Sequence, residues 1–147
     1  MLLSLSLGVS AQTKRNTSSR AKTTKVSQVE KKVLGKHMFA LQWISWEDFG
    51  TCTITKDNRG QLVCKGEQRS KKNGDYLKID GTITIVNAKH LRFTGTISSL
   101  VSYLNNGREY KRKGTFNFVA SGKRKYWRLQ EMNRSNDECV DYVDIFF

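Results

Sequence analysis

The chain has 147 residues and a formal net charge of +13, with 26 Lys/Arg against 13 Asp/Glu. It contains no proline, and 37% of its residues are hydrophobic, including seven Phe, five Tyr and three Trp. This apolar content is enough for one modest core, which excludes a wholly disordered chain and fits a single domain. No apolar run approaches the roughly 20 residues that a membrane helix needs, so the sequence predicts no transmembrane span.

The first residues resemble a secretory signal. Residues 1–10 read MLLSLSLGVS, an apolar run that closes on small residues before the chain becomes basic at Lys14-Arg15. This pattern predicts a signal peptide over residues 1–12 and a secreted or periplasmic protein. No basic segment precedes the apolar run, which a start codon placed too far downstream would explain.

Residues 13–36 have the composition of a leader that does not fold. They are rich in Thr and Ser, poor in large apolar side chains, and contain eight Lys/Arg against one Glu. Such a segment buries too little surface to offset the entropy of ordering it, so we expect a disordered basic leader. More than half of the net positive charge therefore lies in this leader.

Residues 37–147 predict a single all-β domain. Short connections rich in turn-forming residues separate eight candidate strands, which is typical of an antiparallel up-and-down meander. Because eight strands would leave two open edges, we expect the last strand to pair with the first and close a barrel. A two-layer β-sandwich is the alternative. The predicted strands are Met38 to Trp46, Thr51 to Lys56, Gln61 to Gln68, Tyr76 to Val86, His90 to Leu104, Glu109 to Val119, Lys125 to Met132 and Cys139 to Phe147.

The turn at residues 87–89 predicts the register of the fourth and fifth strands. Centring a hairpin there places Ile83 opposite Phe93 and Gly81 opposite Gly95. The paired glycines remove side chains where a small barrel must coil most tightly.

A second turn at Asn106-Gly107 predicts the register of the fifth and sixth strands. Both central residues of a type I′ turn have positive φ, and Asn-Gly is a strong signal for it. This turn pairs Tyr103 with Tyr110 and Ile97 with Phe116. Both turns select one inward face: Leu77, Ile79, Ile83, Ile85, Leu91, Phe93, Ile97, Phe116, Phe118, Trp127 and Leu129.

The three cysteines leave two interpretations open. A hairpin centred on Asn58 places Cys52 directly opposite Cys64, where the two could form a cross-strand disulfide. The alternative is two small core residues that stay reduced. Cys139 has no His or Cys partner at a ligand spacing, so we predict no metal site.

The arrangement resembles the lipocalin-like barrels of small secreted bacterial proteins over about residues 36–147. The resemblance lies in a Trp-bearing first strand, a meander and a closing last strand. Lipocalins carry a Gly-x-Trp motif, whereas Leu41 and Gln42 precede Trp43 here and the nearest upstream glycine is Gly35. The resemblance implies a barrel with a mouth for ligands and assigns no binding residues.

The expected function is a non-enzymatic secreted module that holds a small apolar or amphipathic ligand inside the barrel. The ligand would enter where the turns at residues 47–50, 70–75, 105–108 and 133–138 gather. The candidate contacts are Trp43, Phe93, Phe116, Phe118 and Trp127. A core filled by these side chains is the alternative for each of them.

The alternative function is a surface-interaction protein that binds polyanions or anionic surfaces. Its candidate residues at the same end are Lys71, Lys72, Arg108, Lys111 and Lys113, and a second set gathers at the other end: Lys56, Arg59, Lys89, Lys123, Arg124 and Lys125. Nucleic acid is a poor candidate partner for an exported protein.

Catalytic signatures are weak. His37 and His90 have no partner at ligand or catalytic spacing, which favours roles at the surface or in turns. The pair Asp141 and Asp144 has too few neighbouring oxygen ligands for Ca²⁺ and fits solvated loop charges. We therefore expect no enzyme activity and no cofactor.

Overall fold

The structure is a computed structural model that describes residues 21, 28–134 and 139–147. The predicted signal peptide and residues 13–20 and 22–27 of the predicted leader lie outside the described residues. Eight antiparallel strands form one closed barrel in chain order: β1 Gly35–Leu41, β2 Gly50–Lys56, β3 Leu62–Arg69, β4 Tyr76–Asn87, β5 His90–Leu100, β6 Tyr110–Val119, β7 Tyr126–Leu129 and β8 Val143–Phe146.

The ring closes where β1 pairs with β8. Phe39 lies opposite Ile145, and Leu41 lies opposite Val143. Alternate side chains of both strands point inward and are fully buried, because one face of each strand lines the barrel. The predicted up-and-down barrel is confirmed, and the sandwich alternative is wrong.

The predicted register of β4 and β5 is confirmed. Ile83 lies opposite Phe93, and Gly81 lies opposite Gly95. A Cβ atom on Gly95 would lie 2.3 Å from the Asp80 carbonyl oxygen and 2.6 Å from the Gly81 Cα. The two glycines therefore allow the strands to approach at the tightest point of the barrel wall.

The predicted register of β5 and β6 is wrong by four residues. Ile97 lies opposite Arg112, and Phe93 lies opposite Phe116. The strand β5 ends at Leu100, and the chain passes through a 3₁₀ turn at Asn105–Gly107 before β6 begins. Because the shift is an even number of residues, the inward face is unchanged.

The predicted pairing of β2 and β3 is wrong by two residues. Cys52 lies opposite Gly66, and Ile54 lies opposite Cys64. The connecting loop is longer than a hairpin centred on Asn58, since the Asp57 amide donates to the Gln61 carbonyl oxygen at 2.9 Å. The two cysteines are diagonal neighbours on the inner face.

Side chains fill the barrel. Of the predicted inward set, ten residues are buried, and Ile85 is partly buried against them. Phe39, Leu41 and Ile145 complete the same core with no exposed surface above 1%. The first strand therefore turns Phe39 and Leu41 inward and exposes Met38.

Residues 28–33 are helical and belong to the folded unit. Val33 is completely buried in the core. The Leu34 amide donates to the Glu30 carbonyl oxygen at 2.9 Å, which closes the last turn of this segment. The expected boundary between leader and barrel at residue 36 therefore moves toward the N-terminus, because Val33 buries its side chain on the barrel.

The antiparallel connections gather at two ends. The basic end comprises residues 28–34 and the connections 57–61, 88–89 and 120–125. The far end comprises the connections 42–49, 70–75 and 101–109, and residues 130–134 and 139–142. Among the described residues, no helix has the length and apolar character required to span a membrane.

Candidate functional site

Four of the five predicted ligand contacts lie together as packed core. The ring centroids of Phe93 and Phe116 are 6.2 Å apart, and Phe118 meets Phe93 edge-on at the same distance. Trp127 is fully buried, and its indole N–H donates to the Ala88 carbonyl oxygen at 3.3 Å. These rings make the contacts expected of a filled interior.

Trp43 does not join them. It lies beyond the end of β1 in the connection to β2, partly buried at the far end. Its indole N–H donates to the Val140 carbonyl oxygen at 3.1 Å. The structure therefore assigns Trp43 to the packing of the far-end loops.

The predicted polyanion contacts lie at the far end, or on β6 close to it, and carboxylates accompany them. Lys71 forms an ion pair with Asp48 at 2.5 Å, and Lys111 approaches Glu109 at 3.5 Å. The other three predicted cations are exposed on loops or strand faces: Lys72, Arg108 and Lys113. Neighbouring carboxylates reduce the positive potential of this surface.

The basic end has a more concentrated positive charge. A cavity of about 190 Å³ there is lined by Lys32, Ala88, Lys89, Ala120, Gly122, Lys123, Arg124, Lys125 and Phe147. We call it the basic cavity. Five of its lining residues are cationic, and no carboxylate side chain is among the nine. Part of this set was predicted at this end from the strand order.

Two turns place the cations of the basic cavity. The Lys89 amide donates to the Asn87 side-chain oxygen at 2.9 Å, and its ammonium donates to the Gly122 carbonyl oxygen at 3.1 Å. Gly122 has a φ of 58°, which lets the 120–125 connection turn tightly and present its cations together. The Phe147 amide then donates to the Lys125 carbonyl oxygen at 2.9 Å.

Lys32 shows that the cations repel one another. Burial is the largest cause that lowers the pKa of Lys32, and the charges of Lys125 and Lys89 lower it further. Its ammonium lies 3.5 Å from the ring centroid of Phe147, a cation–π contact that holds it over the cavity. A bound anion would relieve this repulsion.

His37 joins the helical segment to β8 beneath the cavity. One ring nitrogen lies 2.7 Å from the Val33 carbonyl oxygen, and the other lies 2.8 Å from the Phe146 carbonyl oxygen. His37 is 8% exposed, so the expected surface or turn role is wrong: it lies on the inward face of β1.

A second cavity adjoins the basic cavity. It measures about 360 Å³ and is lined by Lys32, Lys36, His37, Met38, Phe146 and Phe147. We call it the apolar groove. Lys32 and Phe147 line both cavities, so the two adjoin at these residues.

Buried ion pairs stabilise the β7–β8 side of the barrel. The sequence does not predict them. Arg128 donates to both Asp144 carboxylate oxygens, at 2.8 and 2.7 Å, and this hydrogen bonding raises the pKa of Arg128. Arg134 donates to Asp141 at 2.8 Å, and both side chains are 2% exposed. The aspartates predicted as solvated charges are therefore buried partners of arginines.

The cysteine pair lies in the barrel wall, away from both ends. Cys52 and Cys64 are fully buried and are not joined by a disulfide in the structure, where their Sγ atoms are 3.0 Å apart. The hydrogen bond to Cys52, followed by burial, raises the pKa of Cys64. No Cβ stands on Gly66, where one would lie 2.9 Å from the Cys52 Cβ, which leaves Cys52 room to lean toward Cys64.

A Cys52–Cys64 disulfide stays a prediction. If it forms on refolding in a glutathione buffer, the chain becomes two hydrogen atoms lighter, with the electrons passing to glutathione disulfide. Closing this short loop should stabilise the fold by about 3 kcal/mol. Intact mass and melting, with and without reductant, measure both effects. Cys139→Ala should behave like the parent, and a Cys52→Ala variant with the same reductant response would contradict the pairing.

The fold and site define a class: a closed eight-stranded antiparallel barrel with a cation-lined cavity at one end. The chain belongs to the PM1083 family, whose model matches residues 14–147. It is similar to the "Uncharacterized protein PM1083" of Pasteurella multocida (strain Pm70), with 47% identity over 122 residues, 83% of this chain and 78% of the relative. No solved structure matches the chain. The lipocalin resemblance thus rests on topology alone.

Proposed function

We propose that this protein is a non-enzymatic module that binds anionic groups at its basic end. The observation that carries the proposal is the basic cavity, where five cations surround about 190 Å³ with no Asp or Glu side chain among the lining residues. Oriented cations in a concave, partly dry site attract anions more strongly than the same charges spread over an exposed surface.

The chemistry of the cavity supports binding over turnover. Its lining supplies amines, one guanidinium, small residues and a phenyl ring. The lining contains no histidine, serine, cysteine, Asp or Glu side chain that could act together with a lysine as a general base or nucleophile. The side chains that line the basic cavity are best suited to binding and orienting an anion.

The basic end is a better ligand site than the barrel interior. A lipocalin-like protein would hold its ligand among side chains such as Phe93, Phe118 and Trp127, all of which are at most 1% exposed. A ligand inside would have to displace them from close packing, at several kcal/mol for aromatic side chains. We therefore place the ligand outside the wall of strands.

Heparin chromatography of the full chain tests the proposal, with heparin as a polyanionic probe. Replacing Lys123, Arg124 and Lys125 together with alanine should lower the salt concentration at elution, since fewer counterions are released on binding. All three residues are exposed in a turn, so the fold should persist.

A matched control removes three cations from the far end by changing Lys71, Lys72 and Lys111 to alanine. It lowers the net charge equally and should elute close to the parent protein. Equal losses in the two variants would show that total charge, and no particular site, retains the protein, which would contradict the proposal. So would retention that survives about 0.5 M salt, because a screened electrostatic site should not.

A further inference from the structure

Two cavities with different chemistries adjoin at the basic end. Lys32 and Phe147 line both the basic cavity and the apolar groove. The ammonium of Lys32 lies over the Phe147 ring, so the charged and apolar parts meet at one contact. A ligand that spans this contact must carry an anionic group at one side and apolar surface at the other.

The groove side presents unusual exposed apolar surface. Met38 is 53% exposed on the outer face of β1, next to Phe146 of β8. Phe49 is 39% exposed and stacks edge-on against Phe146, with ring centroids 5.2 Å apart. Three neighbouring apolar side chains on the outside of a barrel mark a contact surface more often than isolated ones do.

The size of the groove sets the kind of ligand. At about 360 Å³, it falls at the low end of the roughly 300 to 1,000 Å³ typical of small-molecule sites. That volume suits one flexible chain lying between Met38 and Phe147. It is a local recess, whereas a membrane surface would need a broad apolar face.

We infer that the ligand is a free single-chain anionic amphiphile, with its head group in the basic cavity and its chain in the apolar groove. The inference rests on the proposed function and adds the apolar half of the ligand. The cations Lys89 and Lys125 supply charge for the head, and Met38 and Phe146 supply contact for the first methylenes. Each methylene buried fully contributes about a fourfold gain in affinity, and a groove that is half open gives about twofold.

Isothermal titration of the full chain at low ionic strength tests the inference with three probes: inorganic phosphate, decyl phosphate below its micelle concentration, and decyl maltoside. Decyl phosphate should bind at least about tenfold more tightly than phosphate, because several methylenes enter the groove. Decyl maltoside should bind more weakly than decyl phosphate, since it lacks the anionic head.

Met38→Thr should remove most of the advantage of decyl phosphate and leave phosphate binding unchanged. Val86→Thr is the matched control, because Val86 is a 45% exposed apolar residue on β4 that does not line the groove. Equal effects of the two substitutions would overturn the inference, as would equal binding of decyl phosphate and phosphate or of the two decyl probes. If neither phosphate nor decyl phosphate binds, the proposed function itself fails.

Discussion

Gly95→Val should destabilise the barrel by about 3 kcal/mol, the upper part of the range for overpacked sites. The added Cβ would lie 2.3 Å from the Asp80 carbonyl oxygen and 2.6 Å from the Gly81 Cα. Both are backbone atoms of β4, which move only if the strand pair separates. Urea unfolding, followed by tryptophan fluorescence, gives the change in free energy from the shift of the midpoint.

Gly114→Val is the control for this prediction. Gly114 lies directly opposite Gly95 on the other side, in β6, yet a Cβ there would come no closer than 3.8 Å to any neighbour, an ordinary contact with the Phe116 ring. We expect its unfolding midpoint to stay near that of the parent protein. Similar losses of unfolding free energy in the two variants would contradict our conclusion that β5 packs tightly against β4 at Gly95 while Gly114 of β6 has room for a side chain.

Asp144→Ala should destabilise the protein by about 3 kcal/mol. The carboxylate of Asp144 is 1% exposed and accepts two hydrogen bonds from Arg128, whose side chain is 14% exposed. Removing it leaves the arginine charge largely dry and without its partner, which is the costly way to break a buried pair. Denaturant unfolding at neutral pH measures the loss.

The exposed pair of Lys65 and Asp80 provides a matched control. Its atoms are 3.6 Å apart, and both side chains are more than two-thirds exposed. Asp80→Ala should change stability by less than about 1 kcal/mol, as for other surface pairs. Replacing Arg128 with methionine and Asp144 with leucine together should recover much of the loss, because no charge is then buried. If Asp144→Ala lowers the free energy of unfolding no more than Asp80→Ala does, the predicted contribution of the buried pair to stability is wrong.

The sequence predicted strand order well and register unevenly, for a physical reason. The β4–β5 connection is so short that the turn at residues 87–89 leaves little freedom, and its pairing is correct. The β5–β6 connection runs over residues 101–109, and the positive φ angles of Asn105 and Asn106 belong to a 3₁₀ turn within it. Asn-Gly favours positive φ locally, but the long connection decides where the strands meet.

The candidate site was predicted only in part. Strand order alone places Lys89 and Lys125 at one end, because alternate connections of a meander share an end. The sequence places Lys32 in the leader, because the segment around it is polar and Val33 alone does not produce a helical period. The sequence predicts solvated aspartates in β8 and in the loop before it, because their arginine partners lie on other strands and loops that only the folded chain brings close.

The closing pair of the ring has a consequence for how fast the protein folds. His37 and Phe146, which share a hydrogen bond across β1 and β8, are 109 positions apart along the chain. Contacts so distant in sequence form late, and β-folds dominated by them take milliseconds to seconds. Until β8 arrives, β1 has a partner on one side only, with Phe39 and Leu41 uncovered. We therefore expect a folding intermediate in which β8 is not yet paired to aggregate through the exposed edge and apolar face of β1.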